Sequence, residues 1–144
     1  MAPERAAWAA LLRGEIPPAA QGYPTTGDLV MARLVVDGHL EAGEWGPWQV
    51  RETSTGLLIG GVGFKGAPSD EGIAEIGYGL VESARGRGLA TEAVQALVTH
   101  AFARGASAVI AETDVDNTAS ASVLSRCGFA ETERTDSTVW WRRR

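Results

Sequence analysis

The sequence is poor in the residues that build metal centres and covalent cross-links. It has one cysteine, Cys127, and two histidines, His39 and His100, so an internal disulfide is excluded and no zinc-ligand spacing is present. This cysteine usage fits a reducing cytoplasm. The sequence also lacks any uncharged apolar stretch near the ~20 residues that cross a bilayer, and its start lacks a basic segment followed by an apolar one. We therefore expect neither a membrane span nor a signal peptide.

Positive charge is scarce as well. Lys65 is the single lysine, and the 13 basic residues are outnumbered by 18 acidic ones, which gives a net charge of -5. Nucleic-acid binding requires clustered Lys and Arg side chains that neutralise phosphates. The single basic run, 142–144, is more typical of a solvated tail than of a binding patch. We therefore expect no nucleic-acid partner.

The residues that are present predict one ordinary globular domain spanning 1–144, because 44% are hydrophobic and 22% charged. Apolar periodicity predicts helix, helix, three antiparallel strands, helix, strand, helix and hairpin, in that order. Thr25 and Thr26 are candidate caps of the second helix, and Asp28 lies in its first turn. The predicted segments are 3–13, 26–37, 48–51, 57–64, 73–81, 89–104, 108–115, 117–126 and a hairpin within 130–142.

A glycine-rich turn joins the third strand to the longest helix. Gly86 and Gly88 let consecutive N–H groups point into one cavity, and the helix dipole adds positive potential there. Arg85 and Arg87 can add bidentate hydrogen bonds to phosphate from the sides. The turn therefore predicts a pyrophosphate site. The simpler alternative is a tight turn with two solvated arginines.

Two motifs in this order resemble the GNAT superfamily of acyl-CoA N-acyltransferases. Residues 85–90, Arg-Gly-Arg-Gly-Leu-Ala, resemble its Arg/Gln-x-x-Gly-x-Gly/Ala signature. Residues 117–120, Asn-Thr-Ala-Ser, followed by Cys-Gly-Phe at 127–129, resemble its Asn-x-x-Ser helix that ends in Gly-Phe. The run 72–78 resembles the branch that acetylates ribosomal-protein N-termini. The resemblance implies an α/β (α+β) fold, with a mixed, mostly antiparallel sheet flanked by helices, and acetyl-CoA as the cofactor.

The resemblance also implies a set of cofactor-binding residues. In this superfamily the strand before the glycine turn splays from its neighbour and leaves backbone groups free for the pantetheine, and an N–H near Leu80 would hold the thioester oxygen. Asn117 would contact the pantetheine amide, cap its helix, or do both. The implied residues are Gly79, Leu80, Val81, Arg85, Gly86, Arg87, Gly88, Leu89, Ala90, Asn117 and Ser120.

Acetyl transfer needs a base for the acceptor ammonium and an acid for the leaving thiolate. Glu75 is the first candidate base, because it shares a strand face with Gly77 and Gly79, and Glu112 is the second. The alternatives are a solvent-facing carboxylate and a structural ion pair. Many superfamily members supply the acid from a Tyr at the position of Leu124 here, so Ser120 becomes the candidate acid. An ordinary helix serine is its alternative.

The superfamily normally begins with a strand ahead of the first helix, and Pro3 already stands at a helix start. The first strand is therefore expected to be missing, unless the sequence begins downstream of it. Its loss would leave the next strand as an open edge, which favours reduced stability or a homodimer paired through that edge.

The function predicted from these residues is transfer of an acetyl group from acetyl-CoA to a primary amine, either a protein N-terminal α-amine or a small-molecule amine. A non-catalytic acyl-CoA-binding or sensing module is the alternative. Dinucleotide binding is excluded because Thr91 replaces the third glycine of that fingerprint and the preceding strands are antiparallel. The acidic loop 69–71 suits a cationic acceptor.

Overall fold

The computed structural model describes the backbone of residues 2–144 and the side chains of residues 6–144. The predicted helices and strands are all present, in the predicted order. The helices are α1 (Ala2–Leu12), α2 (Thr26–Val36), α3 (Leu89–Ala103) and α4 (Thr118–Arg126), and a short 3-10 turn covers Glu82–Ala84. The strands are β1 (Pro47–Arg51), β2 (Leu58–Phe64), β3 (Ile73–Leu80), β4 (Ala108–Asp114), β5 (Ala130–Arg134) and β6 (Thr138–Arg143).

The six strands form one mixed sheet in the order β1-β2-β3-β4-β6-β5. All neighbours are antiparallel except β3 and β4, which run parallel because α3 crosses over between them. The prediction of a mostly antiparallel sheet flanked by helices is confirmed. β1 pairs with β2 and forms one edge of the sheet.

Two apolar clusters hold the helices against the sheet. In the larger one, Phe64 and Ile76 pack with residues of α3 and α4, and Cys127 fills a buried position there. In the smaller one, Trp8 of α1 and Val35 of α2 pack with residues of β2 and β3. Side chains alternate across a strand, so the even-numbered residues near the middle of β3 face α3 and the odd-numbered ones face α2.

The start of α2 confirms the predicted cap. Thr25 is the N-cap, and its hydroxyl accepts a hydrogen bond from the Asp28 N–H at 3.1 Å. The Asp28 carboxylate in turn accepts two hydrogen bonds from Thr25 through Oδ2. One comes from the Thr25 N–H at 2.9 Å and the other from the Thr25 hydroxyl at 2.8 Å. This capping box satisfies N–H groups that the first turn would leave unpaired, and it fixes the Asp28 side chain.

A wedge opens in the middle of the sheet. β3 and β4 are paired only over Ile73–Ile76 and Ala108–Ala111. Beyond that point β3 continues beside β2 and β4 continues beside β6, with no ladder between them. The splayed strands that the resemblance implied are therefore present, and the wedge faces the glycine turn.

Candidate active site

A cleft of about 350 Å³ lies between the end of β3, the glycine turn and the start of α4. It brings together residues that are far apart in the sequence, and among them are all the predicted cofactor residues except Val81 and Arg87. The predicted residues that line it are Gly79, Leu80, Arg85, Gly86, Gly88, Leu89, Ala90, Asn117 and Ser120.

The glycine turn has the geometry of an anion site. Gly86 and Gly88 have φ values of 76° and 77°, a left-handed conformation that side chains disfavour by ~1–2 kcal/mol per residue. Gly88 is the N-cap of α3, and no side chain caps this helix. The N–H groups of the first turn of α3 are therefore available to a ligand, at the positive end of the helix dipole.

Sheet register decides which backbone groups of β3 are free. The Val81 N–H donates to the Ile59 carbonyl and the Lys65 N–H donates to the Glu75 carbonyl, both at 2.8 Å. Hydrogen-bonded and non-bonded pairs alternate along an antiparallel ladder, so the backbone groups of Gly79 also face β2. The groups of Tyr78 and Leu80 face the wedge instead. Gly79 and Val81, which were both expected to offer free backbone groups, therefore face β2, and the side chain of Val81 is buried.

The two arginines of the turn have different partners. Arg85 lines the cleft, and its Nε donates to the Leu80 carbonyl at 3.2 Å. Arg87 turns away and forms a two-pronged ion pair with Glu52, at 2.6 and 3.3 Å. These hydrogen bonds hold the pKa of Glu52 below its ordinary value. Of the two arginines expected to flank the phosphates, Arg85 lines the cleft and Arg87 is paired with Glu52, and phosphate binding by either residue stays a prediction.

The candidate bases meet at the lone lysine. Lys65 Nζ lies 3.0 Å from Glu75 Oε2 and 3.6 Å from Glu112 Oε1. Glu75 sits opposite Ile110, where β3 and β4 are still paired, and Lys65 holds its carboxylate there. Glu112 is the first β4 residue beyond the paired segment, and it lines a cavity of about 310 Å³ inside the wedge.

Tyr78 is the wedge residue that the sequence analysis missed. Its hydroxyl donates to the Ser120 carbonyl at 3.1 Å and so ties β3 to α4 across the opening. Burial raises the pKa of Tyr78, which keeps the phenol protonated. Asn117 caps α4, because its Oδ1 accepts from the Ser120 N–H at 3.0 Å. An aromatic residue between two strand glycines was the available signal for Tyr78.

A further cavity, of about 440 Å³, lies on the other face of β2 and β3, under α2. Four glycines form its floor, with Gly61 opposite Gly79 and Gly63 opposite Gly77. Tyr78 and Gly79 line both this cavity and the cleft, so the two spaces lie next to each other at these residues.

Asp28 lines this cavity although its side chain is 4% exposed. Burial raises the pKa of Asp28, and the hydrogen bonds from Thr25 oppose that rise. The sequence predicts that Asp28 lies in the first turn of α2, and no functional role was predicted for it. A charged group buried beside a cavity is costly unless something pairs with it.

The raised pKa leads to a stability prediction for Asp28→Asn. A carboxyl whose pKa is higher in the folded state loses its stabilising contribution as pH rises through that value. We expect the variant to have a higher Tm than the parent at pH 7, and the difference to shrink as pH approaches the ordinary Asp pKa of ~3.9. Thermal unfolding between pH 3.5 and 8 checks this. A variant that is less stable at pH 7 would contradict it.

No helix within 2–144 is long and apolar enough to span a bilayer. In the same part of the chain no three His, Cys, Asp or Glu side chains are grouped so that they could hold a metal ion.

Known proteins with similar structures share this architecture. An acetyltransferase (GNAT family) from Bacillus anthracis matches with a TM-score of 0.64 and 20% identity, over 78% of this chain and 72% of that one. RimL, a ribosomal L7/L12 alpha-N-protein acetyltransferase solved with coenzyme A, matches with a TM-score of 0.64 and 22% identity, over 87% and 73%. The ribosomal-protein-S5-alanine acetyltransferase of Vibrio fischeri matches with a TM-score of 0.62 and 17% identity, over 88% of this chain and 76% of that one.

Sequence comparison points the same way. The uncharacterised N-acetyltransferase YjdG of Bacillus subtilis is 34% identical over 83 residues, which are 57% of this chain and 49% of YjdG. The uncharacterised N-acetyltransferase p20 of Bacillus licheniformis is 32% identical over 100 residues, 69% of this chain and 56% of p20. The chain thus spans about half the length of these relatives. Residues 9–130 match the model of the acetyltransferase (GNAT) domain, and the chain belongs to that family.

Proposed function

We propose that this chain transfers the acetyl group of acetyl-CoA to a primary amine by direct attack of the amine on the thioester. The observation that carries the proposal is the wedge between β3 and β4, which opens onto the uncapped start of α3. A diphosphate and a thioester can therefore occupy two ends of one cleft. RimL, which is similar in structure, has been solved with coenzyme A.

Each part of the coenzyme has a candidate partner. The first N–H groups of α3 and the Arg85 guanidinium hold the diphosphate. The backbone groups of Tyr78 that face the wedge hold the pantetheine arm. The Leu80 N–H faces the same way and stabilises the oxygen of the tetrahedral intermediate, while its carbonyl already accepts from Arg85.

The reaction needs proton transfer from the acceptor ammonium, to the leaving thiolate and from the acylated nitrogen. The acceptor ammonium gives a proton to a carboxylate, for which Glu112 is the better placed of the two candidates and Glu75 is the second. The amine nitrogen then forms a bond with the thioester carbon, and the carbon–sulfur bond breaks. The leaving thiolate takes a proton from the Ser120 or Tyr78 hydroxyl, and both residues line the cleft. The acylated nitrogen gives up its second proton, which restores that hydroxyl. The products are an amide and free coenzyme A.

The acceptor is a protein N-terminal α-amine or a small-molecule amine. The run 72–78 supports the first, because it resembles the branch that acetylates ribosomal-protein N-termini. The cavity under α2 supports either, because it lies next to the cleft at Tyr78 and Gly79. In both cases the protein is an acetyl-CoA-dependent N-acyltransferase.

Calorimetry with coenzyme A and an assay of thiol release from acetyl-CoA with amines test the proposal. We expect Arg85→Ala to weaken coenzyme binding by about 10- to 100-fold, the value of a charge-assisted hydrogen bond of ~1.5–3 kcal/mol. Arg87→Ala is the matched control and should weaken binding less, because Arg87 is already paired with Glu52. No heat with coenzyme A would refute the donor site. Binding without amine-dependent thiol release would identify a non-catalytic module.

A further inference from the structure

We propose that Asp28 anchors the acceptor: its buried carboxylate binds the ammonium of a primary amine that is carried on a compact apolar group, in the cavity under α2. This inference rests on the proposed transferase function and specifies its second substrate. The same chemistry occurs in a free arylalkylamine and at the N-terminus of a peptide with an apolar side chain.

The first observation is a carboxylate oxygen that accepts no hydrogen bond from the described residues. Asp28 Oδ2 accepts both hydrogen bonds from Thr25, and no donor or cation in the described part of the chain pairs with Oδ1. Oδ1 lies directly over Gly61, where a Cβ would collide with it. Asp28 lines the cavity, so an ammonium held there can donate a charge-assisted hydrogen bond to Oδ1.

The second observation is the position of that oxygen relative to the cleft. Gly61, beneath Oδ1, is the cross-strand partner of Gly79, which lines both the cleft and the cavity. Neighbouring strands are ~4.8 Å apart. An ammonium bound at Oδ1 is therefore about one strand spacing from the junction where the thioester is placed by the proposed function, and the amine leaves Oδ1 for the thioester carbon once it has lost its proton. The glycine floor puts no side chain between them.

The rest of the cavity defines what the amine is attached to. Asp28 is the one carboxylate among the described residues that line it, and the one basic lining residue is Lys65, which is paired with Glu75 and Glu112. A second cation on the acceptor would find no second carboxylate there. Besides the hydroxyl-bearing Thr25, Thr26 and Tyr78, the other lining side chains are apolar: Trp8, Val30, Met31, Pro47 and Val62. The cavity therefore fits a monocation with an apolar body.

The test uses Asp28→Asn in the full chain. Asparagine keeps an oxygen to accept from Thr25 and places an NH₂ group over Gly61 in place of Oδ1, so the helix cap is retained while the charge is lost. With saturating acetyl-CoA we expect the KM for phenethylamine to rise by about 10- to 100-fold, the range for a charged hydrogen bond of ~1.5–3 kcal/mol. The Kd for coenzyme A should not change.

Asp37→Asn is the matched control. It removes the same charge from the other end of α2, where the side chain is exposed beside Arg33, and it should leave both constants unchanged. The peptide Phe-Ala and the diamine putrescine are assayed alongside phenethylamine. Turnover of phenethylamine or Phe-Ala that depends on Asp28 supports the proposal, and the faster of the two identifies the source of the amine.

Failure of this inference differs from failure of the proposed function. If the parent protein releases no thiol with any of the three amines, the transferase function itself fails. If the parent is active and Asp28→Asn leaves the KM for every amine unchanged, the anchor is refuted. A higher kcat/KM for putrescine than for phenethylamine and Phe-Ala would refute the inference that the acceptor is a monocation with an apolar body.

Discussion

Gly79→Ala is expected to remove most of the activity and leave the fold intact. No atom of the described residues lies within 4 Å of a Cβ built on Gly79, and its φ is not in the left-handed region. The added methyl therefore meets open space and causes no clash. That space is the junction of the cleft and the acceptor cavity, where the amine must approach the thioester. A misplacement of about 1 Å at a reacting centre costs on the order of 100-fold in rate, and we expect a loss of that size in kcat.

Gly77→Ala provides the matched control for that variant. It adds the same methyl to the same strand face two residues away, where the Cβ meets Lys65 Cε at 3.3 Å. A lysine side chain can move, so this variant should lose less activity than Gly79→Ala. Both should keep the parental Tm and circular dichroism. If the two variants lost activity equally, or if Gly79→Ala unfolded the protein, the junction would not lie over Gly79.

The elements of this fold were predictable because their signals are local. The helical period after Gly88 predicts α3, the Thr25 cap predicts the start of α2, and the glycines at 86 and 88 predict the turn between β3 and α3. A pattern within a few residues fixes each of these features. The candidate anion site was predictable for the same reason, since strand, turn and helix start follow one another in the chain.

The contacts between distant segments were not predictable from one sequence. Glu52 forms an ion pair with Arg87 of the glycine turn, although the two residues are 35 positions apart in the sequence. Asp28 and Gly61 meet because α2 packs across β2, and nothing local to either residue indicates it. Glu75 follows the strand-face rule correctly, but the rule does not say where β4 leaves β3. That position decides whether a carboxylate faces the wedge, and it is a property of the whole sheet.

Glu112→Gln is expected to lower kcat by about 100-fold, within the ~10²–10⁴ range of a general base. Glu112 lines the wedge beyond the last paired residue of β4, whereas Glu75 lies in the paired segment, and both carboxylates contact Lys65. Glu75→Gln is therefore the matched variant, because it alters the same ion-pair group outside the wedge. We expect Glu75→Gln to lower kcat by clearly less than Glu112→Gln does. Initial rates of thiol release at saturating acetyl-CoA and amine give both values.

The pH dependence separates a base from a residue that only maintains the ion pairs. A variant without its base can react once the amine has lost its proton to water, so the rate of Glu112→Gln should rise toward that of the parent as pH approaches the pKa of the amine. A structural defect would leave the ratio of the two rates constant across the series. If the ratio of the Glu112→Gln rate to the parental rate stayed constant with pH, or if Glu75→Gln lost more kcat, Glu112 would not be the base. Asp28 would then be the nearest carboxylate to the acceptor, and the anchor and the base would be the same group.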